Sequence, residues 1–270
     1  MRVAAIQMNG GDDVAANLKL TEQLLREAAS DGCKLAVLPE NFPLMPARGR
    51  DKAAIAEEPG DGPIQDRLSR LSAELGLWIV AGSMPLVSPE IDAERVYGAC
   101  PVYNADGAQA AIYRKIHLFD VDLVDKQESY RESRSMYPGD EVTTVDTPFG
   151  RIGLTICYDV RFPELYRSLV DAGAIIFTVP AAFTATTGEA HWHTLLRARA
   201  IENLAYVIAP GQCGTHPDGR ATYGHSIIID PWGRVLAEAK DGNGFVAADI
   251  DPSLPKKLRE EFPALSNRRL

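Results

Sequence analysis

The segment "GRIGLTICYDVRFPELY" (Gly150–Tyr166) reads as an apolar strand that runs into a cysteine and then a dense polar cluster. Cys157 is open to two readings: a small core residue closing a strand, or a nucleophile fixed at a strand end beside Tyr158, Asp159, Arg161 and Glu164. Strand ends are where sites collect in α/β sheets, so the architecture around this segment bears on both.

On either side, strand-like and helix-like patterns alternate. "RVAAIQM" reads as a first strand, Val14 to about Ala29 as an amphipathic helix stopped by Asp31-Gly32, and "KLAVLPE" as a short buried strand ending at Glu40. A helix opens at Pro63, and "LWIVAGSMPL" follows as one buried strand. Hairpins are expected around Asp106-Gly107, around Pro148–Gly150 and within "HSIIIDPWGRVLAEA". "PELYRSLVDAG" and "AHWHTLLRARAIENLA" read as helices, each leading into an apolar strand. Strands apolar on both faces need cover on both sides. Two mixed sheets facing each other, with helices outside, satisfy that requirement in a single domain over residues 1–270, with 251–270 as a C-terminal tail.

Composition narrows the function classes. The chain of 270 residues carries a formal net charge of −9, with no Lys/Arg-rich run, which disfavours nucleic-acid binding. No apolar run approaches the roughly 18 to 20 residues of a membrane span, and "RVAAIQM" begins without the pattern of a secretory signal. Cys33, Cys100, Cys157 and Cys213 are widely spaced, which is neither a zinc pattern nor a disulfide framework, so a reduced, cytoplasmic setting is expected.

Glu40, Lys115 and Cys157 each end an apolar strand. Singly, each is ordinary: a solvated carboxylate, a solvated ammonium, a buried thiol. Together they supply a base, a cation for a developing oxyanion and a nucleophile. A carboxylate beside a thiol raises the thiol's pKa, so the expected resting state is neutral thiol plus carboxylate. In a competing reading, a Cys–His hydrolase would take its base from His191, His193 or His225. His191 and His193, two apart on a helix, face different ways and make a poor metal pair.

"LAVLPENF", "YRKIHLFD" and "GLTICYDVRFPELYR", in this order and at these separations, closely resemble the nitrilase (carbon–nitrogen hydrolase) superfamily. "AFTATTGEAHWHTLLRARAIENLAYVIAPGQCG" and "YGHSIIIDPWGRVLAE" resemble its Nit branch, whose blocks are partly shared with the ω-amidases. The resemblance implies a four-layer αββα sandwich, a homodimer or larger homo-oligomer, and amide hydrolysis through a Cys157 thioester with no metal or organic cofactor. It places the catalytic Glu, Lys and Cys on Glu40, Lys115 and Cys157, and a second glutamate on Glu132, with Glu128 the other claimant. It implies an oxyanion contact from the Tyr158 N–H and a carboxylate-bearing amide substrate. Deaminated glutathione is the expected substrate, with ω-amidase or carbamoylase substrates as the alternative. Arg48, Arg161, Arg197 and Arg199 are candidates for the substrate carboxylate, and Phe183, Thr184 and His191 for the pocket. The polar loop from Asp120 to Pro138 is a candidate lid.

Overall fold

The computed structural model describes residues 1–46, 48–87, 95–123 and 128–269. The chain opens with β1 (Arg2–Gln7), whose side chains alternate between two apolar layers. α1 (Val14–Ser30) starts where the Asp13 carboxylate accepts the Ala16 N–H (3.1 Å), and it buries Leu18, Leu24, Leu25 and Ala28 at helical spacing. β2 (Leu35–Val37) follows, then a 3-10 turn (Gly49–Ile55) and α2 (Pro63–Leu75), which begins on proline and ends on left-handed Gly76.

The expected single strand "LWIVAGSMPL" is two, β3 (Trp78–Val80) and β4 (Met84–Leu86). The break is at Gly82, whose φ of +56° and contact with the Pro39 carbonyl exclude any side chain. β5 (Val96–Tyr103) and β6 (Gln109–Arg114) form the hairpin expected around Gly107. The region expected as a polar lid carries structure of its own. β7 (Asp120–Leu123) pairs antiparallel with β8 (Glu128–Arg131), where Arg131 clamps Asp122, and a 3-10 turn (Glu132–Arg134) and β9 (Met136–Tyr137) follow.

β10 (Thr144–Thr147) and β11 (Gly150–Leu154) form the next hairpin. β11 ends three residues before Cys157, and Cys157 instead opens a 3-10 turn (Cys157–Arg161). α3 (Pro163–Asp171), β12 (Ile176–Thr178), α4 (Ala185–Asn203) and β13 (Tyr206–Ala209) come next. α4 begins five residues earlier than its apolar pattern suggests, because Thr184 caps it. β14 (Cys213–Thr215) pairs with β15 (Ala221–Tyr223), and β16 (Ile227–Ile229) with β17 (Val235–Glu238). β18 (Gly244–Asp249) and α5 (Leu254–Glu261) close the chain.

One sheet has the order β18-β1-β2-β3-β5-β4, with β6 and β9 also on β5; the other runs β10-β11-β12-β13-β16-β17. β1–β3 and β11–β13 are parallel, and hairpins extend both sheets antiparallel. Val3, Ala5, Val37 and Val80 from the first sheet pack with Ile152, Leu154, Ile176 and Val207 from the second. The opposite face of the first sheet is covered by α1 and α2, while α3 and α4 pack on the second. This is the expected face-to-face pair of mixed sheets with helices outside. No helix among the described residues is long and apolar enough to cross a membrane.

Candidate active site

Glu40 and Cys157 are held by irregular segments just beyond their strands, and Lys115 directly follows its own. Glu40 sits in the turn after β2, where the Leu38 N–H still bonds Val80 and the next residue, Asn41, turns left-handed at φ +56°. Lys115 follows β6 directly, and its backbone continues the ladder to Gly98 (2.9 Å). Cys157 has φ +47°, a backbone that costs a non-glycine residue about 1–2 kcal/mol. Its N–H donates to Pro180 O (2.8 Å).

That strained turn is held by Asp159, which is fully buried. The Asp159 carboxylate accepts the Ile156 N–H (2.8 Å), the Tyr113 hydroxyl (2.7 Å) and the His117 N–H (3.1 Å), with His117 Nδ1 at 2.7 Å. Tyr113 and His117 flank Lys115, so one carboxylate ties the cysteine's turn to the lysine's segment.

The side chains meet across the gap between the sheets. Lys115 Nζ donates to Glu40 Oε1 (2.8 Å) and to both oxygens of Glu132 (3.0 and 2.9 Å). Glu132 is held in turn by the Phe119 N–H (2.7 Å), and the second oxygen of Glu40 accepts the Ala182 N–H (2.8 Å). Burial alone would push the Glu40 carboxyl up, but Lys115 outweighs it and holds it below the usual carboxylate range. Burial opposes the Lys115 charge too, yet Glu132 and Glu40 raise its pKa well above the ordinary lysine value. Burial first, and the Glu40 charge second, push the Cys157 thiol well up. The resting site is therefore carboxylate, ammonium and neutral thiol.

These groups line a cavity of about 250 Å³, a small-molecule volume, which Tyr158, Phe183 and Thr184 also line. Among the described residues no acceptor pairs with the Tyr158 N–H, the position beside the thiol where an oxyanion would form.

The arginines expected to meet a substrate carboxylate lie elsewhere. Arg48 is exposed at the start of the 49–55 turn. Arg197 is bound to Gly233 O (2.9 Å), and buried Arg199 to Val160 O (2.9 Å) and Glu202 (2.7 Å), so both hold structure. Arg161 lies over Phe183 (5.4 Å) and pairs with exposed His191 at Nδ1 (3.2 Å), and neither lines the cavity. His193 and His225 both bond Oε1 of Glu238, at 2.8 and 2.6 Å, away from the thiol. The histidine that does line the cavity is His216, whose ring nitrogens face Gly10 O (2.9 Å) and the Thr222 hydroxyl (2.7 Å) and whose burial lowers its pKa. Glu128 has its side chain outside the described residues.

Three contributors gave no signal in the sequence: the Ala182 N–H, Asp159 as an anchor, and Lys52. Lys52 lies one turn beyond Arg48 and lines the cavity. A charged residue in a Pro- and Arg-rich loop carries no period to mark it; only tertiary packing brings Lys52 into the wall.

The fold and site define a hydrolase acting on carbon–nitrogen bonds: the carbon-nitrogen hydrolase family model matches residues 2–260, and the chain belongs to that family. It is 42% identical over 269 residues to the deaminated glutathione amidase of Bos taurus, covering 99% of this chain and 81% of that one. It is 40% identical over 267 residues to the enzyme of the same name from Yersinia enterocolitica, covering 99% and 92%. The crystal structure of the C. elegans NitFhit protein superposes with a TM-score of 0.91 at 37% identity, over 99% of this chain and 65% of that one.

Proposed function

We propose that the protein hydrolyses the amide of deaminated glutathione, giving 2-oxoglutarate and cysteinylglycine. The observation that carries the substrate is the full-length similarity to the cattle and Yersinia amidases. The ion-paired cluster of Glu40, Lys115 and Glu132 beside a buried thiol supports the chemistry.

In this reading Cys157 Sγ attacks the amide carbonyl while Glu40 takes the thiol proton. Lys115 Nζ and the Tyr158 N–H hold the oxyanion, which is worth about 2.7–4 kcal/mol per well-placed donor. Collapse of the adduct breaks the C–N bond as Glu40 returns the proton to the leaving amine, and an acyl thioester remains. Glu40 then takes a proton from water, whose oxygen attacks the thioester, and the acid departs as Cys157 recovers its proton. Glu132 holds Lys115 in place by its paired contact. Every role is filled by a side chain or the backbone, so the reading calls for no cofactor. A cytoplasmic setting and a homodimer or larger homo-oligomer complete it, the latter checked by light scattering on the purified chain.

The test is an amine- and ammonia-release screen of deaminated glutathione, 2-oxoglutaramate, N-carbamoyl amino acids and simple nitriles. Deaminated glutathione is expected to give the highest kcat/KM, and equal rates across the panel would sink the substrate assignment. Cys157→Ala is expected to abolish turnover while leaving the circular-dichroism spectrum unchanged; full activity in that variant would remove the nucleophile from the scheme.

A further inference from the structure

The cavity wall has a charge pattern that the hydrolytic steps leave unused. Glu40, Glu132 and Lys115 together contribute a net negative charge, which would repel a substrate carrying a carboxylate. Two arginines on the wall are already neutralised. Arg131 is clamped by both oxygens of Asp122 (2.8 and 2.7 Å), and Arg220 pairs with Asp218 while its guanidinium lies over Tyr130.

Lys52 differs from both. It is only 9% exposed, it lines the cavity, and among the described residues no hydrogen bond or ion pair reaches its ammonium. Burial lowers its pKa; Glu132 and Glu40 pull the other way from across the cavity, too far off to form ion pairs. A buried ammonium without a partner costs free energy unless something in the site satisfies it. A carboxylate that enters from the cavity and leaves with the product supplies the opposite charge that the wall lacks there.

We propose that Lys52 binds a carboxylate of the substrate and so selects carboxylate-bearing amides over neutral ones. This rests on the amidase reading above and names the side chain that recognises its substrate class. Deaminated glutathione offers two such groups, one on the 2-oxo acid it transfers and one on the glycine it releases. Lys52 supplies the same charge-assisted contact to either.

The experiment compares wild type with Lys52→Met and Lys52→Arg on amides that differ only in charge. One pair is 2-oxoglutaramate and its methyl ester; the other is deaminated glutathione and its glycine monoester. In Lys52→Met the charged-to-neutral ratio of kcat/KM is expected to fall about 10- to 100-fold, carried by KM, as for a lost hydrogen bond to a charged group. Lys52→Arg is expected to recover most of that ratio, which a merely misfolded variant would not. A fall with 2-oxoglutaramate places the contact on the acyl carboxylate. A fall only with deaminated glutathione, mimicked in wild type by esterifying the glycine, places it on the leaving group.

An unchanged ratio in Lys52→Met, or an equal loss on charged and neutral partners that Lys52→Arg does not repair, overturns the proposal. Wild type supplies a separate check: if it ignores deaminated glutathione but Lys52→Met loses preference for another carboxylate amide, the substrate reading fails and the anchor stands. Calorimetric titration with 2-oxoglutarate and with cysteinylglycine supplies a readout that needs no turnover. Wild type is expected to bind at least one of them about 10-fold or more tighter than Lys52→Met, and equal affinities for both overturn the anchor.

Discussion

After burial, Glu40 is the second cause of the raised Cys157 thiol, and in the proposed scheme it also carries the proton; one substitution separates the two effects. In Glu40→Gln the carboxylate charge that pushes the thiol up is gone, while Lys115 remains to attract a thiolate. The thiol pKa is expected to fall, read as absorbance at 240 nm appearing at lower pH than in wild type. Turnover is expected to fall about 10²- to 10⁴-fold, because more thiolate does not replace the missing base. Near-normal kcat in Glu40→Gln would move the base to another group. A second expectation concerns the acid side. Glu40 titrates below the usual carboxylate range, so the acid limb of kcat/KM should lie below that range and move up when Lys115 is replaced by Met.

Short segments between regular elements carry the candidate site, and local sequence pattern marks such segments least. Most strands, the hairpin turns and the starts of α1, α2 and α3 follow from period and punctuation, and "LAVLPE", "AIYRK" and "IGLTIC" carry the three candidate side chains. Those patterns end before the chemistry begins: Glu40 and Cys157 each lie three residues past their strand. Gly82 shows why. Any Cβ there would overlap the Pro39 carbonyl and come within 2.6 Å of the Leu38 carbonyl, so the break between β3 and β4 makes room for the segment that carries Glu40. Gly82→Ala is expected to cost more than about 3 kcal/mol in urea unfolding and to reduce kcat in the folded fraction. Gly76→Ala is the control. It has a similar left-handed backbone with nothing near its Cβ, so it should cost about 1–2 kcal/mol with activity unchanged. Lys52 and the anchoring role of Asp159 have the opposite origin: tertiary packing alone brings Lys52 to the cavity, and Tyr113 and His117 lie more than 40 residues from Asp159, so no local pattern names either.

Across the molecule, buried thiols and phenols give the fold a common response to alkali. Burial pushes Cys33 up to about 11 and also raises Cys100, Cys157, Tyr113 and Tyr166 above their ordinary values. Each binds its proton more tightly folded than unfolded. Stability from these groups is therefore full below the unfolded pKa and is lost as pH rises through the folded value. The melting temperature is expected to decline above about pH 9, where unfolded thiols ionise, and a flat profile to pH 11 would contradict the burial of these groups.

The two sheets are also sequential along the chain, except that β18 crosses back to lie beside β1 over six residue pairs. Glu40 and Lys115 come from the first half and Cys157 from the second, and Gln212 reaches across to the Glu40 carbonyl (3.1 Å) and the Gly10 N–H (2.9 Å). A cut in the exposed stretch at Asp140–Glu141 would leave each fragment without part of the reaction centre and leave the first sheet without its edge strand. Mixed together, such fragments would regain turnover only by finding each other, at a rate that rises with the product of their concentrations. Because the two halves each carry part of the candidate site, amide hydrolysis would be a direct count of reassembled molecules.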